Sequence, residues 1–208
     1  MGPPQPVQRM SFEEFAEWAL SAEGQQGKYE YHQGEIFDVY AMAGAGATHN
    51  EIALNVAASL HGQLKGKPCR TFVADMLLRV DVDDKGYYPD VMVTCSEADR
   101  ARQTFKTDAV VVIEVLSPST AAYDRSEKFA SYRRLPALQE FIFIDPATRG
   151  IDHYRRDGDR WSLLPPVETL ELPSIGCALP LADVFDGIES GDIAIAAPVA
   201  TQVGYDVS

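Results

Sequence analysis

Cysteine is scarce in this chain of 208 residues, and basic side chains are outnumbered by acidic ones. The three cysteines, Cys69, Cys95 and Cys177, are an odd number and lack the close spacing of a zinc ribbon or a disulfide scaffold. We therefore expect three free thiols. The longest apolar runs, at 109–113 and 194–200, fall well below the roughly 20 residues that span a bilayer. The sequence predicts a cytoplasmic protein without a membrane segment.

The charge balance limits how the protein can meet nucleic acid. Lys and Arg number 18 and Asp and Glu 31, for a formal net charge of −13, which excludes a protein that grips nucleic acid with its whole surface. Residues 65–160 carry equal numbers of basic and acidic side chains, whereas the flanking segments are acidic. A polyanion can therefore approach the middle of the chain at short range.

The composition is that of a folded domain. Hydrophobic residues make up 46% and aromatic residues 10%, enough for one core in a chain of this length. Residues 1–10, rich in Pro and Gln, predict a disordered lead. We expect a single domain over residues 11–185 and an acidic C-terminal tail over residues 186–208.

Local patterns predict the order of the elements. Capping boxes at Ser11, Thr48 and Asp124 predict three helices that end near residues 22, 64 and 135. Runs rich in β-branched and aromatic residues predict a hairpin over 29–40, a loop over 41–47, and strands at 70–80, 87–95, 109–116, 141–145, 151–154 and 161–164.

The order helix, strand, strand, strand, helix, strand predicts an α/β (α+β) core with a mixed sheet. Strands 70–80 and 87–95 are expected to pair as antiparallel neighbours. Strand 109–116 is almost continuously β-branched, so it is expected to be central and buried on both faces.

Glu114 lies inside this most hydrophobic strand. A bare buried carboxylate is very costly, so Glu114 must be protonated, paired with a cation or bound to a metal. A structural ion pair with an arginine is the alternative to a functional role.

Asp90 precedes the neighbouring strand, directly after Pro89. Pro89 cannot donate to a ladder, which predicts an edge strand or a bulge there. A Pro-Asp pair alone is usually a turn. Together with Glu114, however, Asp90 could hold a hard cation such as magnesium, or the two carboxylates could do acid and base work on a sugar.

Lys128 lies on the apolar face of the third predicted helix. It recurs at helical spacing with Arg125, Phe129, Tyr132 and Leu135, whereas Glu127, Ser131, Arg133 and Arg134 are expected on the solvent side. Lys128 either faces a site on the sheet or lays its stem on the sheet and sends its ammonium group to water.

Together, several motifs resemble the PD-(D/E)xK nuclease superfamily, and within it the Uma-two family of putative restriction endonucleases, over about residues 11–185. The motifs are Tyr29-Glu-Tyr-His-Gln-Gly-Glu35, Thr48-His-Asn-Glu51, Tyr88-Pro-Asp90, Ile113-Glu-Val-Leu-Ser-Pro-Ser119, Asp124 with Lys128 and Tyr132, and Phe143-Ile-Asp-Pro146.

The resemblance implies a restriction-endonuclease-like core and a catalytic divalent cation, Mg²⁺ or Mn²⁺. Asp90, Glu114 and the main-chain carbonyl of Val115 are the implied ligands. The superfamily places a lysine two residues after the glutamate, where this chain has Leu116, and Lys128 from the following helix is the implied replacement.

Four further residues form a second tier of candidates. Glu30 and His49 match family positions beside the site, although an inward histidine is more often a core residue than a ligand. Asp75 could extend the acidic cluster or pair with a neighbouring arginine. Tyr132 shares the face of Lys128. His32, His61 and His153 have no ligand-like spacing, and no role is assigned to them.

The expected function is metal-dependent hydrolysis of DNA phosphodiester bonds, with Lys128 orienting the attacking water or stabilising negative charge. A homodimer is expected, since cutting two strands commonly uses two-fold symmetric pairs of subunits. The alternative is a non-catalytic module of nuclease fold that binds a partner protein or nucleic acid.

Overall fold

Two six-stranded sheets form the framework of the protein in the computed structural model, which describes residues 6–38, 46–118 and 120–188. The strands are β1 (Pro6–Arg9), β2 (Tyr29–His32), β3 (Glu35–Asp38), β4 (Arg70–Val73), β5 (Leu77–Val80), β6 (Lys85–Tyr87), β7 (Val91–Thr94), β8 (Phe105–Lys106), β9 (Ala109–Val115), β10 (Glu140–Asp145), β11 (Gly150–Asp157), β12 (Arg160–Leu163), β13 (Thr169–Leu172) and β14 (Cys177–Pro180).

The helices are α1 (Phe12–Trp18), α2 (Ala47–Leu64), α3 (Glu97–Ala101), α4 (Ala121–Tyr123), α5 (Phe129–Tyr132) and α6 (Leu181–Val184). A π-helical stretch, Asp124–Lys128, joins α4 to α5, so residues 121–132 form one continuous helical segment. None of the helices described is long and apolar enough to cross a membrane.

The first sheet has the order β1-β3-β2-β6-β5-β8 and the second the order β12-β11-β10-β9-β7-β4, with β13 and β14 as a separate pair. Both six-stranded sheets are mixed, because β5 runs parallel to β8 and β9 runs parallel to β10. The predicted order of helices and strands is present in the second sheet and its helices, as α2, β4, β7, β9, the segment 121–132 and β10. This order confirms the predicted fold class.

The second sheet is covered on both faces. Residues at alternate positions of β9, such as Val111 and Ile113, pack against α2. The opposite face, with Val112 and Phe141, packs against Tyr132 of α5. Strand β9 lies between β7 and β10, which confirms the central strand predicted from its β-branched run.

Several local predictions are corrected. The lead predicted to be disordered contains β1, which pairs with β3, while residues 1–5 lie outside the described part. The capping box at Ser11 is present, but α1 ends at Trp18, earlier than predicted. The predicted loop over 41–47 falls mostly outside the described residues.

The two other capping boxes are wrong. Helix α2 begins one residue before Thr48 and has Gly46 at its N-cap. Asp124 lies inside the helical segment, which begins at Ala121 and has Thr120 at its N-cap. In both cases the helix starts before the residue that was predicted to cap it. The side chain of Thr48 or Asp124 therefore lies inside the helix and is not its N-cap.

The predicted strand 70–80 is two strands in different sheets. The chain turns at 74–76, where Ala74 adopts a left-handed φ of 38°, so β4 pairs with β7 while β5 pairs with β6. The antiparallel pairing of the two predicted strands is thus present twice, once in each sheet. The sequence predicts an edge strand or a bulge at Pro89. Strand β7 begins after Pro89 and is internal, which excludes the edge, and the irregularity in its pairing with β9 lies between Val93 and Thr94.

A disulfide joins Cys69 to Cys95, which overturns the prediction of three free thiols. The antiparallel pairing of Arg70 with Thr94 brings the two cysteines opposite each other at the end of the ladder. Cys177 is a buried free thiol. The cytoplasmic location stays a prediction.

Candidate active site

Asp90 and Glu114 lie opposite each other on neighbouring strands. The antiparallel register pairs Val91 of β7 with Ile113 of β9, so the residue before Val91 faces the residue after Ile113. Glu114 alternates with Val112 and Leu116 and therefore lies on the face of the sheet that packs against the helical segment. Its exposure is only 3%.

The carboxylate of Asp90 is fixed by two donors. The main-chain N–H of Val115 donates to Oδ2 at 2.8 Å, and His49 Nε2 of α2 lies 3.2 Å from the same oxygen. Burial opposes ionisation of Asp90, but the His49 contact, the Val115 hydrogen bond and the charge of Lys28 outweigh it and lower the pKa of Asp90. Asp90 is therefore ionised at neutral pH.

Glu114 has the opposite balance. The hydroxyl of Tyr132 donates to Glu114 Oε1 at 3.0 Å, and Lys128 Nζ lies 3.9 Å from the same atom. Burial and the nearby carboxylates of Asp90 and Asp124 outweigh these favourable contacts and raise the pKa of Glu114 to about 8. The site therefore contains more carboxylate groups than the single positive charge of Lys128 can compensate.

Lys128 is the cation at the centre of this group. Its Nζ lies 3.3 Å from Glu30 Oε1 and 3.2 Å from Asp124 Oδ1, in addition to the Glu114 contact. Burial lowers the pKa of Lys128, but Glu114, Glu30 and Asp124 outweigh it and raise the pKa well above its usual value. Lys128 ends the π-helical stretch, a conformation that is rare and frequent at functional sites.

Glu30 comes from β2 in the first sheet and joins the group across the two sheets. The hydroxyl of Tyr123 donates to Glu30 Oε2 at 2.8 Å, and His32 Nε2 lies 3.5 Å from the same oxygen. Burial raises the pKa of Glu30, but the charge of Lys128 and the contacts with His32 and Tyr123 outweigh it, so the pKa is lowered. We call Glu30, Asp90, Glu114 and Asp124 the acidic cluster.

Of the second-tier candidates, Glu30, His49 and Tyr132 contact this cluster or Lys128, as the contacts above show. Asp75 does not share that environment. It lies exposed in the turn between β4 and β5, whereas the sequence placed it on the face of a continuous strand. Asp75 acts electrostatically on Tyr88, where it adds to the effect of burial in raising the pKa of that hydroxyl.

Three participants were missed or misread from the sequence. His32 received no role, although its two-residue spacing from Glu30 places both on one face of β2. Asp124 is predicted as a helix cap and appears in the family motif with Lys128 and Tyr132 without a role in the site, but it contacts Lys128 from within the helix. No local signal marked Tyr123, because its partner Glu30 is 93 residues away in sequence.

The donor set suits a hard cation with open coordination positions. Asp90 and Glu114 offer carboxylate oxygens, and Mg²⁺ is usually held by one or two carboxylates together with waters and substrate phosphates. No group of three or more His, Cys, Asp or Glu side chains arranged to hold a metal ion occurs among the residues described. The two opposed carboxylates and their uncompensated charge nevertheless fit such an ion.

Comparisons with known proteins give a family and two relatives of this chain. The family model described as "Putative restriction endonuclease" (Uma2) matches residues 12–183. Uncharacterized protein slr1290 from Synechocystis sp. is 36% identical over 191 residues, covering 89% of this chain and 96% of that protein. Uncharacterized protein sll1609 from the same organism is 36% identical over 152 residues, covering 72% and 84%.

A solved structure has the same fold. The crystal structure of a putative nuclease belonging to DUF820 from Anabaena variabilis superimposes with a TM-score of 0.62, at 18% identity, over 77% of this chain and 90% of that one. The family match spans the acidic cluster and Lys128, and the fold is that of the structural neighbour. The chain therefore belongs to the Uma2 family of putative restriction endonucleases.

Proposed function

We propose that this protein is a metal-dependent endonuclease that hydrolyses phosphodiester bonds in DNA. One observation carries the proposal: the strand register places Asp90 opposite the buried Glu114, and Lys128 Nζ lies 3.9 Å from Glu114. The family and the nuclease fold support hydrolysis of nucleic acid as the class of reaction.

Asp90, Glu114 and the main-chain carbonyl of Val115 would hold Mg²⁺ or Mn²⁺. When bound there, the ion supplies charge stabilisation at the phosphate and a lowered pKa for a bound water. The excess of buried carboxylate in the acidic cluster favours this cation, since a second positive charge would offset repulsion that Lys128 alone does not.

The protein side chains supply positioning and a fixed positive charge. Glu30 and Asp124 hold the ammonium group of Lys128, which stays protonated and can stabilise negative charge that develops on the phosphate oxygens. His49 and the Val115 N–H fix the orientation of the Asp90 carboxylate. Tyr132 does the same for Glu114.

Calorimetric titration with Mn²⁺ tests the site. We expect binding to the native protein that Asp90→Asn and Glu114→Gln each abolish. Asp152→Asn, at a carboxylate paired with Arg125 away from the cluster, is the matched control and should bind normally. Unaltered binding in both site variants would contradict the proposal.

The melting temperature separates this proposal from its rivals. Because a ligand that binds only the native state stabilises it, saturating Mn²⁺ should raise the melting temperature of the native protein. A melting temperature unaffected by Mg²⁺ or Mn²⁺ would favour the non-catalytic module or carbohydrate hydrolysis.

The homodimer is part of the same proposal. A nuclease with one site per chain cuts both strands most simply as a two-fold symmetric pair. Light scattering coupled to size exclusion should therefore give twice the chain mass of 22.9 kDa. A monomer at working concentrations would restrict the proposal to single-strand cleavage.

A further inference from the structure

A pocket of about 220 Å³ lies at one end of the β4–β7 ladder. Three cationic side chains, Arg70, Arg100 and Lys106, line it together with the ring of Phe72. No Asp or Glu is among the lining residues. We call this cavity the basic pocket.

The charges of the basic pocket are not matched by carboxylates within its walls. The Nη1 group of Arg70 donates to the carbonyl of Cys69 at 2.9 Å, and Arg100 Nη2 donates to that of Pro68 at 2.9 Å. Lys106 Nζ donates to the carbonyl of Asp99 at 2.6 Å. Carbonyls orient these side chains but carry no formal charge, and among the three cations Lys106 is the one that the carboxylate of Asp99 acts on electrostatically.

The carboxylate of Asp99, which acts on Lys106 electrostatically, is already engaged by other donors. Asp99 Oδ1 pairs with Arg102 at 2.8 Å and accepts the main-chain N–H of Thr107 at 2.9 Å. Its Oδ2 accepts the hydroxyl of Thr94 and the N–H of Asp108, both at 2.9 Å. Elsewhere, exposed arginines such as Arg134 pair directly with carboxylates.

Burial, an aromatic contact and a disulfide hold the walls of the basic pocket in place. Lys106 is only 2% exposed and lies 4.7 Å from the centroid of the Phe72 ring, which fixes its position. The disulfide partners Cys69 and Cys95 each lie beside lining residues, so the covalent link ties the two strands that form the rim.

We propose that the basic pocket binds a phosphate-type anion, carried either by the backbone of a nucleic acid strand or by a small phosphorylated molecule. Guanidinium groups match the oxygens of phosphate in geometry, and several cations around one group suit a dianion. The volume is below the roughly 300–1,000 Å³ of cavities that enclose a drug-sized ligand, which suits one anionic group.

This site is separate from the acidic cluster. Thr94, at the pocket, and Val91, next to Asp90, are at opposite ends of β7, about 10 Å apart at the usual rise of a strand. The inference therefore goes beyond the proposed nuclease activity. EDTA would remove a metal ion from the proposed metal site. The basic pocket can therefore be tested in EDTA, separately from the proposed nuclease activity.

Thermal melting of the full chain in EDTA tests the inference, with sodium phosphate compared against sodium chloride at equal ionic strength. Phosphate should raise the melting temperature of the native protein. The double variant Arg70→Gln with Arg100→Gln should lose this effect. The control, Lys65→Gln with Arg160→Gln, removes two exposed charges outside the pocket and should keep it.

Short single-stranded oligonucleotides that end in a 5′-hydroxyl distinguish the two sources of the anion. If the pocket holds the backbone, fluorescence anisotropy in EDTA should show about tenfold weaker binding in the pocket variant than in the control variant. If it holds a small phosphorylated molecule, both variants should bind the oligonucleotide equally, while only the pocket variant loses the effect of phosphate.

Three results would overturn the inference. The first is a melting temperature of the native protein that phosphate does not raise above chloride. The second is an equal phosphate effect in the pocket variant and the native protein. Loss of the effect in the control variant as well would show a general charge effect and would count against the pocket in the same way.

Discussion

The ammonium group of Lys128 lies where carboxylates from β2, β9 and the helical segment meet. The position two residues after Glu114, where the nuclease superfamily has its lysine, is Leu116, which is 5% exposed and packs in the core. Helical spacing predicts Lys128 on the apolar face and leaves open whether its ammonium group faces the site or water; the structure places that group in the site. Its partner Glu30 could not be predicted that way, because it comes from the other sheet.

Replacing Lys128 tests its role in cleavage. Lys128→Ala should reduce Mn²⁺-dependent cleavage on the order of 10²-fold, as expected for the loss of one contact that stabilises charge in the transition state. Arg134→Ala, which removes an exposed arginine paired with Asp83 just after the end of the helical segment, is the control and should keep nearly normal rates.

Circular dichroism would establish that both variants are folded, since loss of a buried cation leaves three carboxylates uncompensated and can cost about 3–5 kcal/mol. Equal cleavage rates for the two folded variants would remove Lys128 from the mechanism.

Glu140 gives a pH-dependent prediction away from the site. Burial raises its pKa, but contacts with His153, Ser174 and Arg155 outweigh burial and hold the pKa below its usual 4.5. A lowered folded-state pKa contributes stability above the unfolded pKa, and this contribution is lost as the pH falls through the folded value. Glu140→Gln should therefore lower stability at pH 7, with a difference that shrinks below about pH 4.

Urea denaturation from pH 3 to pH 7 measures this difference. Glu171→Gln, at an exposed glutamate, is the control and should change stability little at any pH. A Glu140→Gln defect that is constant across the range would indicate lost packing instead of the ionised carboxylate.

Local sequence signals predicted which elements exist better than where they end. The capping box at Ser11 holds because both of its reciprocal contacts form at a helix start. The boxes at Thr48 and Asp124 are wrong because each helix begins earlier. In sequence, the same residue spacing inside a helix cannot be distinguished from a capping box at its start. The change of sheet at 74–76 likewise depends on which strands are available to pair with β4 and β5.

The Cys69–Cys95 disulfide is expected to stabilise the pairing of β4 with β7. Strand β4 is at the edge of the second sheet and pairs only with β7, to which Cys69–Cys95 ties it across a sequence separation of 26. Closing a loop of that length in the unfolded chain contributes about 3 kcal/mol. Reduction should therefore lower the melting temperature of the native protein.

The variant Cys69→Ser with Cys95→Ser should melt at the lower temperature and should not respond to reductant. Thiol titration of the unsubstituted protein, after unfolding, should find one thiol before reduction, that of Cys177, and three after reduction. A native melting temperature that is insensitive to reductant would contradict the prediction.

The molecule as a whole was predicted best along the second sheet. Its central strand, the opposed carboxylates and the inward lysine all follow from burial and periodicity. The division into two sheets does not, so the contacts that join Glu30, His32 and Tyr123 were not predicted, although the resemblance placed Glu30 beside the site. Contacts between residues about 90 positions apart leave no local pattern.

Net charge predicts the response to salt. A chain of charge −13 repels long nucleic acid, so attraction must come from local cations and be short in range. If about three phosphates are contacted, affinity for single-stranded DNA should fall about twentyfold between 50 and 200 mM salt. Competition binding across that range measures the slope, and a flat response would mean that the substrate is not a long nucleic acid.

The chain alternates between the sheets, with β4, β7 and β9 in the second and β5, β6 and β8 in the first. Neither sheet can be completed from a continuous stretch of sequence, so neither can unfold while the other persists. We expect one cooperative transition in urea, with coincident loss of helical circular dichroism and tryptophan fluorescence. Two separated transitions would contradict it. The same interleaving means that no fragment ending between β4 and β9 retains an assembled site.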